Sequence, residues 1–234
     1  PDRRALSGGV DRALRLWDLT QGTAIREFGH RMGVTCLDVD WSSDYLISGC
    51  ENGELTVWDL SSGQKVLELV GHTEAVRCVS LDVQSSRAIS GSSDCRLVLW
   101  SLDDGEVLQE RRTHTGANCL SVHWKHTLAL VGGYAVMRQY ELSTWLGFEW
   151  GEMVGHSGPV TCLAREWRTG ATVSGSADST LRVWSYDGKT SRELRGHTMS
   201  VTCVAALFSE HLAVSGGEDC ALRVWNLASR SRDE

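Results

Sequence analysis

The chain is 234 residues long, 41% hydrophobic and 23% charged, with a formal net charge of −7. That composition excludes an intrinsically disordered chain, and no apolar run reaches the roughly 18 residues a membrane-crossing helix needs. The acidic balance argues against a general binder of nucleic acid or of anionic membranes, which needs Lys and Arg gathered on one face.

In chain order, the opening segment PDRRALSGG has neither the apolar stretch of a signal peptide nor an initiator Met, so the chain reads as a piece of something longer. Residues 1–29 form a partial unit holding the second, third and fourth of four strand-like runs. A unit over 30–71 follows, and the next, 72–113, shows the full pattern. There VRCVSLDV and RAISG are β-branched and apolar, RLVLWSL alternates with period 2, and EVLQERR is a more polar fourth run. The pieces SGSSD and LDDGE between them read as tight turns. The unit 114–155 is degenerate, with THTGAN, VGGY and Tyr140 at the marker positions. The pattern returns over 156–196, loses its outer strand over 197–228, and gives way to a polar tail, 229–234. No stretch carries a 3.6-residue apolar period, so helix is minimal. Gly at 24 residues against two Pro, Pro1 and Pro159, suits such a turn-rich β chain, and the glycines are read as turn glycines.

Three markers recur in phase about every 42 residues. One is Gly29-His30, Gly71-His72, Thr113-His114, Gly155-His156 and Gly196-His197. Another is Trp17-Asp18, Trp58-Asp59, Trp100-Ser101, Tyr140-Glu141, Trp184-Ser185 and Trp225-Asn226. The third is Ser7-Gly8, Ser48-Gly49, Ser90-Gly91, Ser174-Gly175 and Ser215-Gly216. Four strands per period is the composition of a propeller blade. The pattern GH…SGSxD…LxVWD resembles the WD40 repeat family over about residues 5–227, strongly in five of six units. The resemblance implies an all-β fold, a β-propeller of four-stranded antiparallel blades cut from a parent of about six or seven blades.

A Ser, a His and an Asp in every unit invite a hydrolase reading, but one catalytic site per repeat is not plausible. The resemblance implies instead a buried hydrogen-bond tetrad in each unit. The sets are His72, Ser90, Asp94 and Trp100; His156, Ser174, Asp178 and Trp184; His197, Ser215, Asp219 and Trp225. The unit 30–71 has His30, Ser48, Asn52 and Trp58, with Asn for Asp, and the first keeps Ser7, Asp11 and Trp17. No catalytic residue is assigned, and no phosphate loop, dinucleotide fingerprint, HExxH or GxSxG is present. Cys36, Cys78, Cys119, Cys162 and Cys203 share one position and are read as small buried fillers. Eight Cys without a secretion signal point to a reducing compartment, hence cytoplasm, with the nucleus also open. Neither a disulfide nor a metal follows from their spacing, His123 and His126 lack a third ligand nearby, and no cofactor is expected.

Function is therefore expected on surfaces. The family's top mouth maps here onto Thr35, Arg77, Asn118, Thr161 and Thr202, with Glu51, Ser93 and Glu218 before the tetrad acid or its substitute. Arg77 is the one positive charge in the set. The degenerate unit adds Trp145, Phe148 and Trp150, read either as cover for a weakened blade or as an exposed edge anchor for a partner. Trp41, Trp124, Trp167 and Phe208, with Val83 at the fifth place, cap the opposite end or form a second partner ring. The expected function is a non-catalytic protein-protein interaction scaffold holding a peptide or protein loop at the mouth; partners are other proteins, with neither nucleic acid nor membrane. The alternative is the substrate-recognition or regulatory part of a larger enzyme, a ubiquitin ligase or a signalling NTPase. The Trp-Asp-x-Arg box for docking on a cullin-ligase adaptor is absent: Leu19-Thr20 follows Trp17-Asp18, and Leu60-Ser61 follows Trp58-Asp59.

Overall fold

A computed structural model describes residues 3–143, 151–189 and 191–228. The chain divides into two compact units, Pro1–Ala117 and Asn118–Glu234. In the first, Arg4–Gly8 (β1), Ala13–Asp18 (β2) and Thr23–Gly29 (β3) make a three-stranded antiparallel sheet. Val34–Asp40 (β4), Tyr45–Cys50 (β5), Leu55–Asp59 (β6) and Lys65–Leu69 (β7) make a four-stranded sheet. Val76–Asp82 (β8), Arg87–Ser92 (β9), Arg96–Ser101 (β10) and Val107–Arg112 (β11) make another. These are meanders in which each strand pairs with its neighbour in sequence, the arrangement of a propeller blade.

The Asp of the Trp-Asp pair explains how the outer strand is joined. Asp18 Oδ1 accepts from the amides of Thr20 and Gln21 at 2.7 and 3.2 Å, and Asp59 Oδ1 from those of Ser61 and Ser62 at 2.8 and 3.0 Å. The turn closes on a left-handed glycine, Gly22 at φ 67° and Gly63 at φ 78°, a conformation that costs glycine no Cβ clash.

The second unit holds Cys119–His123 (β12), Leu128–Gly132 (β13), Tyr134–Glu141 (β14), Glu152–Arg165 (β15), Thr172–Ser176 (β16), Thr180–Trp184 (β17) and Ser191–Arg195 (β18) in one seven-stranded order. Val201–Leu207 (β19), Leu212–Gly217 (β20) and Leu222–Asn226 (β21) make a three-stranded sheet. The unit boundary expected between residues 155 and 156 falls inside the 14-residue β15, which is outer strand to β14 and inner strand to β16. The cause is local: without a Ser-Gly-Ser-x-Asp turn, β14 begins at Tyr134 and pairs as far as Pro159. Among the described residues, the helix is two three-residue 3-10 turns, Trp124–His126 and Phe208–Glu210.

The core lies between successive sheets. Ile47, Leu55, Val57 and Leu69 of one sheet pack on Val76, Val79, Ala88, Val98 and Trp100 of the next. Leu14, Leu16 and Phe28 do the same against Val34, Leu46, Trp58 and Leu60. The glycines of the Ser-Gly series sit at these interfaces, which corrects their reading as turn glycines. They lie inside strands, and at three of them an added Cβ would meet the next sheet, 2.6 Å from Val34 Cγ1 at Gly8, 2.8 Å from Val76 Cβ at Gly49 and 2.6 Å from Val201 Cγ1 at Gly175, while at Gly91 it would come 2.6 Å from Ala117 Cβ. Close approach of two sheets requires them.

Candidate functional site

In the sheet β8–β11, Ser90 Oγ accepts from Trp100 Nε1 at 2.8 Å and lies 2.8 Å from His72 Nε2. His72 Nδ1 lies 2.9 Å from Asp94 Oδ2. A carboxylate can only accept, so the ring is assigned its proton on Nδ1, and Nε2 takes the hydroxyl proton of Ser90. Asp94 also accepts from the amides of Thr73 and Arg96, both at 3.0 Å, binding the loop before β8 to the turn after β9. Burial pushes its pKa up, but the Thr73 amide, His72 and Arg96 outweigh that and hold it down at about 2. Burial lowers His72 against the pull of Asp94, so the ring stays neutral. Ser90 is fully buried with its oxygen committed on both sides, which suits an anchor and not a nucleophile.

The same distances recur in the second unit. His156 meets Asp178 at 2.9 Å and Ser174 at 2.8 Å, and Trp184 donates to Ser174 at 2.8 Å. His197 meets Asp219 at 2.9 Å and Ser215 at 2.8 Å, and Trp225 donates to Ser215 at 2.8 Å. In the first sheet Trp17 donates to Ser7 at 2.8 Å. The unit 30–71 differs. His30 Nε2 meets Ser48 Oγ at 2.8 Å, but its Nδ1 faces Cys50 Sγ at 3.2 Å, while Asn52 Oδ1 accepts from the Glu54 amide. The strands β12–β14 have no such set: His114 is exposed, Val131 stands at the Ser position, and Tyr140 is buried in place of Trp.

The expected mouth residues fall into two kinds. In the first unit Arg77 is exposed and its Nε donates to Ser93 Oγ at 2.8 Å. The Glu51 carboxyl lies over Gly33, where an added Cβ would come within 3.0 Å of it. Thr35 is part-buried, and its hydroxyl faces the carbonyls of Gly49 in its own sheet and Val76 in the next. In the second unit Thr161 is placed the same way against Gly175 and Val201, while the Thr202 hydroxyl donates to Gly216 O at 3.2 Å. The Asn118 amide donates to Gly132 O, and Glu218 is exposed. Thr35 and Thr161 therefore tie sheets together with the groups assigned to a partner, whereas Arg77, at the equivalent place, reaches solvent.

The family model for the WD domain, G-beta repeat (WD40), matches residues 22–59, 63–101, 149–185 and 188–226, more than half of the chain. The chain belongs to the WD40 family. The unmatched stretch 102–148 contains β12–β14, the strands without a tetrad. Beige protein homolog 1 of Schizosaccharomyces pombe is 32% identical over 74 residues, covering 29% of this chain and 3% of that protein. F-box/WD repeat-containing protein 8 of Rattus norvegicus is 37% identical over 71 residues, covering 30% of this chain and 11% of that one. The chain thus spans a small part of these relatives. Among solved structures, the computationally designed Ika8 protein aligns with a TM-score of 0.78 at 26% identity, over 97% of this chain and 69% of that one.

WD40 domains bind other proteins, and several residues of this one that shape its loop end escaped the sequence reading. Ser92 Oγ donates to Glu74 O at 3.0 Å and accepts from the Asp94 amide, and Ser176 does the same with Gly158 and Asp178. The signal was the Ser-Gly-Ser triplet, which Cys50 and Gly217 interrupt elsewhere. Asp38 accepts from the Leu81 amide of the following sheet at 2.8 Å. The periodic cysteines are not uniformly buried: Cys78 and Cys119 are buried, Cys36 and Cys162 part-buried, and Cys203 exposed on the sheet β19–β21. Burial pushes the Cys36 thiol up to about 12. Trp41, Trp167, Phe208 and Val83 each pack partly buried against a core cluster. Trp167 also donates to Ser121 Oγ at 3.0 Å, and Arg165 stacks 4.7 Å from its ring. His123 Nδ1 accepts from the His126 amide at 3.2 Å, capping the 3-10 turn. Among the described residues, no group of three or more His, Cys, Asp or Glu is placed to hold a metal ion, and no helix is long and apolar enough to cross a membrane. Trp145, Phe148 and Trp150 lie outside the described residues.

Proposed function

We propose that this WD40 domain is a non-catalytic scaffold that holds a peptide or loop of another protein at the loop end bearing the His residues, with Arg77 as its anchoring contact. The observation that carries this reading is the hold of Ser93 on Arg77 Nε at 2.8 Å, which fixes the planar group while the side chain stays exposed. A guanidinium fixed in this way offers a two-pronged fit to a carboxylate or phosphate. Ala75, Thr35 and Ser93 beside it are small, which favours a shallow surface and a segment of modest affinity over a deep small-molecule pocket. Residence in the cytoplasm belongs to the same reading.

The test is affinity capture with mass spectrometry on the parent and on Arg77→Glu, both checked for unchanged melting. A partner lost only with Arg77→Glu supports recognition at this loop end. If the variant keeps every partner of the parent, the assignment fails. A second reading, the substrate-recognition part of a larger enzyme such as a ubiquitin ligase, is favoured by the likeness over 71 residues to F-box/WD repeat-containing protein 8. Enzyme subunits recurring among the captured proteins would distinguish it.

A further inference from the structure

Adjoining sheets leave clefts between them at equivalent places, and the clefts differ. In the first unit one of about 170 Å³ is walled by Val57, Leu67, Leu81, Val83 and Leu102. Its counterpart in the second unit holds about 400 Å³. The walls correspond residue by residue. Leu81 and Val83 stand three and five places after Cys78, as Arg165 and Trp167 do after Cys162. Leu102 follows Trp100 by two places as Tyr186 follows Trp184, and Val57 precedes Trp58 as Gln139 precedes Tyr140. Leu67 and Gly151 each precede the Glu that pairs across to the third strand. Gly151 in place of Leu67 removes a side chain, in keeping with the larger volume. Gln139 for Val57 and Arg165 for Leu81 bring polar groups into a cavity whose other walls include Leu128, Leu130 and Met153.

Arg165 is a cation without an anion. Its side chain is half-buried, and burial pulls its pKa below the ordinary arginine value. Nη1 donates to Thr172 Oγ1 at 3.0 Å and Nη2 to Gln139 Oε1 at 3.4 Å, both neutral oxygens. Nε is shut from water and has no hydrogen-bond partner among the described residues. The Trp167 ring, 4.7 Å away, answers part of the charge. The acids at the rim are engaged elsewhere: Glu152 with Arg138 at 2.8 Å, and Asp187 with the Ser185 hydroxyl at 2.6 Å and the Lys189 amide at 3.1 Å. By contrast, Arg96, Arg138 and Arg182 each have a carboxylate at 2.8 or 2.9 Å. A third cleft, beside Val183, Phe208 and Leu227, has no such group, since its Arg168 is 83% exposed and faces Glu166.

We infer that the cavity at Arg165 binds a small aromatic carboxylate, its acid group on the guanidinium and its apolar body against Leu128, Met153 and Tyr186. A half-buried charge without a counter-ion gains more from an anion than an exposed one does. The planar edge of a guanidinium matches the two oxygens of a carboxylate. The volume falls within the roughly 300–1,000 Å³ of small-ligand cavities. This cavity lies wholly in the second unit and Arg77 in the first, so either site can fail without the other.

The probe is para-trifluoromethylbenzoate, followed by fluorine NMR on the 234-residue chain beside its neutral amide and the matching benzylammonium. The benzoate is expected to bind at least about tenfold more tightly than the amide, as one charge-assisted pair allows, and the cation not at all. Arg165→Leu, which installs the residue of the first cleft, should abolish that preference without lowering the melting temperature. Arg165→Lys should keep part of it, and Arg77→Glu should leave it untouched. The indole N–H resonance of Trp167, identified by its loss in Trp167→Phe, should shift on adding benzoate. No binding of the benzoate, equal affinity for acid and amide, a preference that survives Arg165→Leu or vanishes with Arg77→Glu, or an unmoved Trp167 resonance would each overturn the inference.

Discussion

The strands β8–β11 and the strands β12–β15 are both antiparallel meanders but differ in how their loop ends are held. In the first, Asp94 ties the Thr73 amide to His72, and Ser92 ties Glu74. In the second, with Val131 where Ser would stand, the outer connection is drawn into the sheet, and Tyr134 pairs with Pro159. Strand pairing and a buried face are enough to build a blade.

The largest effect that would sharpen this contrast comes from Trp100, which is fully buried in the core between two sheets and donates to Ser90. Trp100→Ala should cost about 3–5 kcal/mol in urea unfolding, by lost packing and an open cavity. Ser90→Ala should follow at about 1–3 kcal/mol, because the indole N–H and the His72 nitrogen lose their shared partner. Ser90→Ala without measurable loss would show the tetrad to be ornamental to stability.

Glycine substitutions come next, because they separate close approach from turn freedom. Gly91→Ala places a Cβ 2.6 Å from that of Ala117 and 2.8 Å from Cys78 Sγ, and should cost about 1–3 kcal/mol. Gly29→Ala meets nothing within 4 Å and has no positive φ, so its midpoint should hardly move. Equal effects of the two would refute the interface role.

Acid titration bears most heavily on the tetrads. Asp94 and Asp178 sit at about 2 when folded, below the ordinary aspartate value of 3.8, so the stability they contribute is present above pH 3.8 and is lost as pH falls towards 2. His72 and His156 are also lowered, by burial, from 6.5. The unfolded chain then binds more protons below that value, and stability falls in the same direction. Hydrogen exchange across pH 7 to 3 should therefore show β9 and β16 losing protection before β13. The smallest effect is a gain. Asn52→Asp offers His30 Nδ1 the carboxylate it lacks and should add about 0.5–1.5 kcal/mol, read as a raised urea midpoint.

Much of this was legible in one dimension. The Trp-Asp, Gly-His and Ser-Gly series mark the strands because each element spans a few residues and its period is local. The tetrads could be assembled from the same series through the family resemblance, since their members keep fixed places within one repeat. Cys50 facing His30 was hidden, because Asn52 holds the sequence position of the acid while its side chain turns to Glu54.

What the sequence determined by itself was the repeat, its four strands and the polar groups each blade buries, all set by contacts within about 42 residues. The tertiary structure alone decided which face of a residue meets the next sheet. It made Gly49 a socket for Val76, turned the Thr35 hydroxyl onto a neighbouring carbonyl and left Arg77 exposed on Ser93. Those outcomes depend on how closely two sheets approach. That distance is fixed by side chains some 40 positions apart, and no local pattern encodes it.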